Sequence, residues 1–410
     1  MGRWSSQELR VWLAPTPGKK RMRLGLNNVK MMLERLSNPE NSFPSVHVAG
    51  TNGKGSLCAH LAAKGAANGN IIGLFTSPHL VNVEERVRID GKPISSMKFD
   101  EALAIVRKAS EIEPPVDITY YEKTFLVALV SFNDAGVDRA IVETGLGGRL
   151  DATRCVNADM CAITTISEDH LEILGPTLLH VLREKAGIHR EGVPLFMLEP
   201  EDQVIESEAR RIIGEDLSIL SFQDNSHPWD IYRSMATEMG RNLGWNSNHE
   251  DPRWPGRDGA RHRYQGSDVI LSAAHNYESI IYEMERLHTP HTLLIGMTKK
   301  QDLSRVMEPI RSALDGGKIA GVVVTEPKNG RLPAEPIQHI ARALGSNKEI
   351  FGQKRVRDAF QSAVKTAQAG KTPLLVLGSI YLTGHVLKML YPAEEKMMEM
   401  LQVHSCRQPS

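Results

Sequence analysis

Short runs of β-branched and aliphatic residues alternate along the chain with longer stretches of amphipathic, helix-length character. Ser45–Ala49 reads as a buried strand, then a glycine-rich turn, then a helix from about Lys54 to Ala67. Strands are expected at Asn70–Phe75, Asp138–Glu143, Met160–Thr165 and Val193–Met197, with helices between them at Glu122–Ala135 and Thr177–Ile188. The alternation breaks between about Phe222 and Gly266, where Asn, Asp, Arg, Trp, Pro and Gly dominate. It resumes with strands at Asp268–Leu271, Thr292–Ile295, Gly321–Thr325 and Leu374–Leu377. Helices are expected at Tyr277–Leu287, Leu303–Ala313, Pro333–Leu344 and Val356–Ala369. Regular β/α alternation predicts parallel, doubly wound sheets with helices on both faces. The fold class is therefore α/β: an N-terminal P-loop-type domain over residues 1–254, a linker over 255–267, and a smaller Rossmann-like domain over 268–410.

Composition narrows the function classes. The 410 residues carry 49 Lys plus Arg against 49 Asp plus Glu, so no bulk charge favours nucleic acid or a membrane surface. A local basic pocket for a polyanion remains open. The longest apolar stretch, near Phe125–Phe132, is too short to span a bilayer. The four cysteines, Cys58, Cys155, Cys161 and Cys406, lack CxxC spacing, which disfavours structural zinc and fits a reducing compartment. The cytoplasm is expected, with an organelle-targeting role for the basic Lys19–Lys30 segment kept open.

The sharpest chemical signal is Val48-Ala49-Gly50-Thr51-Asn52-Gly53-Lys54-Gly55-Ser56. Glycines let main-chain N–H groups close around phosphate oxygens, the helix N-terminus adds its positive end, and Lys54 supplies a point charge. Glu143 ends a predicted strand, where ligands of open α/β sheets collect. A carboxylate there is a natural magnesium ligand, although a plain strand-end charge would look the same. Ser77 read alone lies in a turn, and His170 read alone is a lone histidine. Lys185 beside Glu184 reads as a solvated ion pair. The glycines at 145, 147 and 148 suit a tight loop, either as a simple turn or as one that approaches phosphate or substrate.

The segment His47–Ser56 resembles the phosphate loop of the Mur-ligase superfamily, in its folylpolyglutamate synthase/dihydrofolate synthase branch. The resemblance runs through Leu24-Gly25-Leu26, Phe43-Pro44, Thr76-Ser77-Pro78-His79-Leu80 and Glu85-Arg86-Val87-Arg88-Ile89. It is strongest from Glu143 to Thr153 and continues through Asp169-His170, Leu174–Thr177 and Glu184–Ile188. Further on it includes Pro255-Gly256-Arg257, Ala274-His275-Asn276 and Gly378–Leu382. It implies an ATP-dependent carboxylate–amine ligase that forms an acyl phosphate. It assigns Thr51, Asn52, Gly53, Lys54, Gly55, Ser56, Arg257 and His275 to ATP, and Ser77, Glu143 and His170 to one or two magnesium ions. Lys54, Lys185 and His170 become the catalytic residues, with Lys185 carbamylated. Arg257 is the arginine that reaches the ATP phosphates, and Asn276 is also a ready helix cap. The implied partners are a pterin-type acid, L-glutamate and ATP, acting on a monomer.

The resemblance frays in three places. Ser272-Ala273-Ala274-His275-Asn276 stands where the family has Asp-Gly-Ala-His-Asn, so an acidic nucleotide contact is missing. No Gly-x-His-Gln segment is evident, His227–Tyr232 being the residues available, and the stretch from Gly192 to Pro255 is short for the family. Weakened adenine and ribose contacts are expected. The turn Thr51-Asn52-Gly53 favours a dihydrofolate synthase. A folylpolyglutamate synthase, a paralogue joining another acid and amine, and a non-catalytic nucleotide-binding protein are the alternatives.

Overall fold

The computed structural model describes residues 4–14, 25–168, 170–222, 227–328, 333–345 and 350–404. The chain divides into two compact units. The first comprises Met1–His79, Val83–Pro252 and Gln402–Ser410, and the second comprises Leu80–Asn82 and Arg253–Leu401. Asp169, Leu24 and Cys406, each named above, lie outside the described residues, as does part of the basic segment near the N-terminus.

Among the described residues the first unit holds an eight-stranded sheet. Its strands in chain order are β1 (Ser45–Ala49), β2 (Ile72–Phe75), β3 (Val87–Ile89), β4 (Lys92–Pro93), β5 (Arg139–Glu143), β6 (Ala158–Ile163), β7 (Leu195–Leu198) and β8 (Leu217–Leu220). Their spatial order is β4-β3-β2-β5-β1-β6-β7-β8. The six strands from β2 to β8 pair in parallel, while β3 and β4 add antiparallel edges. From β1 the chain passes over β5 to reach β2. From β5 it passes over β1 to reach β6. The winding therefore reverses around β5, β1 and β6, and their carboxyl ends deliver Gly50, Glu143 and Thr164 to one edge, the place where open α/β sheets bind ligands.

Sequence-local devices fix the helices that build this edge. Tyr120–Ala135 starts in a capping box, Thr119 with Glu122, and stops at Gly136. Its apolar residues Phe125, Leu126, Leu129 and Phe132 are fully buried against the sheet. Burying a Phe or Leu side chain contributes about 1.5–3 kcal/mol each, before conformational entropy is subtracted.

The stretch from Phe222 to Gly266, expected to end the first domain and act as a linker, is built differently. Pro228–Asn242 is a 15-residue helix of the first unit that packs on the helix Lys54–Ala67. His227 caps it, its Nδ1 accepting the Trp229 N–H at 3.0 Å, and Pro228 occupies the first turn. Trp229, Tyr232, Met235, Ala236 and Met239 form its buried face. Apolar residues at that spacing make an amphipathic helix even in a polar run.

The second sheet comprises β9 (Arg261–Tyr264), β10 (Ser267–Leu271), β11 (His291–Ile295), β12 (Ile319–Thr325), β13 (Ile350–Gln353) and β14 (Leu374–Leu377), in the order β13-β12-β11-β14-β10-β9. Only β9 runs antiparallel, and it lies within residues 255–267, so that span supplies the sheet's edge instead of a free linker. Apolar clusters cover both faces, one under the helices that follow β10, β11 and β12, the other under Val356–Gly370 and Ile380–Leu390.

Candidate active site

The phosphate loop joins β1 to the helix Lys54–Ala67. Gly53 is its turning point, with φ +85°, a left-handed conformation that favours glycine. A Cβ on Gly53 would lie 1.8 Å from the Tyr232 hydroxyl, and one on Gly50 would lie 1.8 Å from Thr164 Oγ1. The loop is gripped from the end of β6. Thr51 N–H donates to Thr165 O (2.8 Å), Asn52 N–H donates to Thr165 Oγ1 (2.9 Å), and Thr164 Oγ1 donates to Asn52 O (2.7 Å). Thr51 Oγ1 accepts the Ser167 N–H at 3.1 Å. Gly53 at the N-cap has no side chain with which to cap the helix, so Lys54, Gly55 and Ser56 present a first turn of the kind that binds phosphate.

Two lysines converge on this loop. Lys54 Nζ donates to Gly50 O (3.0 Å) and Thr51 O (3.2 Å). Lys185 Nζ donates to the same Gly50 oxygen at 2.8 Å. Lys185 is buried, and Glu184 pairs with Arg149 at 2.7 Å, so the solvated Glu184–Lys185 pair expected from the sequence does not form. Long side chains on successive helix residues leave in different directions, which sends Lys185 inward and Glu184 outward.

Glu143 and Ser77 are brought together. Both are buried, and the Ser77 N–H donates to Glu143 Oε2 at 2.8 Å. Arg88 lies in the same electrostatic field: burial brings its pKa down to about 10, while the charges of Glu85 and Glu143 pull it back up. His170 lies in the loop that follows β6. It sits in a left-handed turn at the start of Leu171–Leu174, nearly half exposed, with Nδ1 3.4 Å from Glu172. That short helix packs through Leu174 against Leu146 in the loop after β5.

The donors suit a hard cation. A buried carboxylate beside a serine, next to an uncapped helix N-terminus, provides oxygen ligands on one side and room for phosphate oxygens on the other, which is how magnesium is usually held. Among the described residues no cluster of three or more His, Cys, Asp or Glu forms a cage of its own.

The glycine loop after β5 is the tight turn that its glycines suit. The N–H groups of Gly145 and Leu146 donate to Asp151 Oδ2 at 3.0 and 2.9 Å, so the loop closes on the chain's own carboxylate. Asp151, Tyr121, Thr164, Thr165 and Tyr232 are the residues around this edge that sequence reasoning passed over. Thr164 and Thr165 had a signal, since they directly follow a strand. Tyr232 had none, because its helix was not anticipated.

Arg257 and His275 belong to the second unit. Arg257 lies in a turn whose N–H donates to Trp254 O, and His275 Nδ1 lies 2.8 Å from Ala273 O. Asn276 caps Tyr277–Glu285, its Oδ1 accepting the Ser279 N–H at 3.0 Å, as its residue type suggested. Ser272 follows β10 and donates to Glu283 Oε1 at 2.7 Å, and burial raises the Glu283 pKa.

No family model matches the chain. Among individual proteins, the Escherichia coli dihydrofolate synthase/folylpolyglutamate synthase is 30% identical over 405 positions, covering 90% of this chain and 92% of its own. The chain belongs to the dihydrofolate synthase/folylpolyglutamate synthase family. Another relative, the Saccharomyces cerevisiae dihydrofolate synthetase, is 28% identical over 424 positions, covering 89% of this chain and 97% of its own. The Yersinia pestis bifunctional folylpolyglutamate synthase/dihydrofolate synthase, solved with Mn, AMPPNP and L-glutamate, superposes with a TM-score of 0.76 at 26% identity, over 93% of this chain and 98% of that one. As a member of this Mur-ligase-like family the chain is an ATP-dependent ligase. No helix among the described residues is long and apolar enough to cross a membrane.

Proposed function

We propose that the chain joins L-glutamate to dihydropteroate, acting as a dihydrofolate synthase. The observation that carries this reading is the convergence of Lys54, Lys185, Glu143 and Ser77 on the carboxyl edge of one sheet, around an uncapped helix N-terminus. The yeast dihydrofolate synthetase, similar along most of both chains, supports the choice of acid.

Main-chain N–H groups from Gly53 to Ser56 cradle the phosphates of ATP. Lys54 sits on a flexible stem, so its ammonium can leave the Gly50 and Thr51 carbonyls for a β- or γ-phosphate oxygen. Glu143 and Ser77, with His170 as a second-site ligand, would hold magnesium, which when bound neutralises charge on the phosphate oxygens. A carboxylate oxygen of dihydropteroate attacks the γ-phosphorus, the bond to the β–γ bridging oxygen breaks, and ADP leaves. The α-amine of L-glutamate then attacks the acyl carbon, loses a proton, and expels phosphate to leave the amide. Such phosphoryl transfer depends on positioning and electrostatics more than on covalent help from the protein.

Lys185 is the lysine we read as carbamylated. Its burial beside Gly50 supports a role in the site, and a carbamate there would turn a cation into an anion facing the metal. The resemblance also gives Arg257 and His275 to the nucleotide. We place the enzyme in the cytoplasm, a reading that the free thiols of Cys155 and Cys161 support, and read it as a monomer.

The test is ADP release by the purified chain with dihydropteroate or tetrahydrofolate, each with L-glutamate. Turnover with dihydropteroate that Lys54→Ala abolishes, in a variant with unchanged thermal unfolding, is the expected result. Turnover with tetrahydrofolate alone would make the chain a folylpolyglutamate synthase. Unchanged turnover in Lys54→Ala would sink the assignment of the phosphate loop.

A further inference from the structure

Three successive peptide groups of the phosphate loop are held in different directions. Gly50 O accepts from Lys54 Nζ (3.0 Å) and Lys185 Nζ (2.8 Å), while the N–H across that peptide, on Thr51, donates to Thr165 O (2.8 Å). Thr51 O accepts from Lys54 Nζ (3.2 Å), while Asn52 N–H donates to Thr165 Oγ1 (2.9 Å). In both peptides the carbonyl faces the lysines and the N–H faces the end of β6. The next peptide is reversed. Asn52 O accepts from Thr164 Oγ1 at 2.7 Å, and Thr165 Oγ1 and the Tyr232 hydroxyl each stand 3.4 Å from it. The C=O and N–H of a trans peptide point opposite ways, so the Gly53 N–H is turned away from β6, to the side of the lysines.

The reversal decides which amides face a ligand. Thr51 and Asn52 commit theirs to Thr165, so Gly53 is the first residue of the turn whose N–H leaves on the lysine side. Gly53 is left-handed at φ +85° and is followed by the right-handed first turn at Lys54, the alternation that gathers successive N–H groups into an anion-binding hollow. We propose that Thr164 and Tyr232 are positioning residues for nucleotide phosphate: by holding the Asn52 carbonyl against β6 and the helix Pro228–Asn242, they aim the Gly53 N–H at a phosphate oxygen before the nucleotide arrives. This deepens, and rests on, the reading of the loop as the ATP phosphate site given above. Were this peptide to turn over, the Asn52 oxygen would meet the phosphate in place of the N–H, negative end against negative charge. Satisfying a buried carbonyl does not by itself call for the arrangement, since a carbonyl oxygen has two lone pairs and three hydroxyls surround this one. Tyr232 adds a steric stop. It is buried, its helix packs on Lys54–Ala67, and its hydroxyl lies 1.8 Å from where a Gly53 Cβ would be, so the ring tip bears on the same peptide that the hydroxyls hold.

Nucleotide binding tests this directly. The full chain is titrated with ADP in the presence of Mg2+ by calorimetry, and the phosphorus NMR resonances of the bound ADP and thermal unfolding are recorded alongside. Wild type is compared with Thr164→Val, Tyr232→Phe, the double variant and Lys54→Ala. Thr164→Val removes the shortest of the three contacts and is expected to weaken ADP binding roughly three- to tenfold. Tyr232→Phe keeps the ring and loses only the longer contact, so it should weaken binding about two- to threefold and unfold like wild type. The double variant should lose more than either. In each of the three, the resonances of bound ADP should move from their wild-type positions, because the amide facing the phosphate has changed its direction. Should Thr164→Val fail to fold, Tyr232→Phe decides. ADP binding that falls in Lys54→Ala but stays at wild-type strength in the hydroxyl variants overturns the positioning role alone. Weaker binding with the resonances unmoved makes the hydroxyls supports of loop stability and overturns it too. Wild-type binding in Lys54→Ala overturns the phosphate-loop reading and this inference with it.

Discussion

Replacing Gly53 with alanine makes two separable demands on the phosphate loop. The first is conformational. Gly53 sits at φ +85°, and a left-handed backbone costs a residue with a Cβ about 1–2 kcal/mol. The second is steric. The new methyl would lie 1.8 Å from the Tyr232 hydroxyl and 1.9 Å from its Cζ, far inside contact distance, so the ring or the loop must move. Overpacking of this kind costs about 1–3 kcal/mol. Gly53→Ala should therefore destabilise the first unit by about 2–5 kcal/mol, the sum of the two ranges. In a Tyr232→Ala background only the conformational part remains, so the same substitution should then cost about 1–2 kcal/mol. Urea unfolding of the four variants measures the difference, and calorimetric titration with ADP reports whether the loop keeps its shape. An equal cost of Gly53→Ala in both backgrounds would refute the claim that Tyr232 packs on the loop.

Two further outcomes are expected. His60, in the helix after the phosphate loop, has a pKa lowered to about 3 by burial, and His249, 3.3 Å away, one lowered to about 4, with Lys64 and Arg233 adding positive charge nearby. Both are neutral in the folded chain but protonate near pH 6.5 when unfolded, so their share of stability is present above that pH and is lost as pH falls toward 4 and 3. His60 alone should cost about 1.4 kcal/mol per unit below pH 6.5, and His60→Gln should flatten the pH dependence of urea unfolding between pH 7 and 5. Ser272→Asp, which would restore the family's acidic residue, places a second carboxylate at hydrogen-bond distance from Glu283. Like charges that close oppose ionisation, so the single variant should lower the unfolding temperature and Ser272→Asp with Glu283→Gln should recover it.

What the sequence disclosed and what it hid divide along physical lines. Ser45–Ala49 and Lys54–Ala67 were legible to the residue because a short valine-bearing strand, a glycine turn and an alanine-rich helix are all local signals. Leu374–Leu377 was equally plain. The helix Pro228–Asn242 was hidden, since its buried face is scattered among Asp, Arg, Ser and Glu and its cap is a histidine, which is uncommon. The short strands β9 and β13 carry too few apolar residues to announce themselves, and β8, though mostly apolar, is only four residues long. The surroundings of Lys185 and Asp151 were hidden for a different reason. Lys185 beside Glu184 looks solvated in one dimension, and Asp151 looks like any polar loop residue; only the folded chain brings Gly50 to the one and five donors to the other.

The second unit includes Leu80–Asn82, a fragment that precedes the rest of that unit by most of the first. Leu80 and Val81 pack against its apolar cluster, and the chain at Leu80 runs so close to Gly384 that a methyl there would lie 1.9 Å from the Leu80 oxygen. On a ribosome that adds about 5–20 residues per second, these two side chains emerge roughly 15–60 s before their partners exist. The nascent chain must keep a greasy loop exposed while the first unit closes around both sides of it. A chaperone that shields that loop would thus act from early in synthesis until the second unit is made, and a recombinant fragment beginning at Arg253 would lack part of its own core however carefully its ends were chosen.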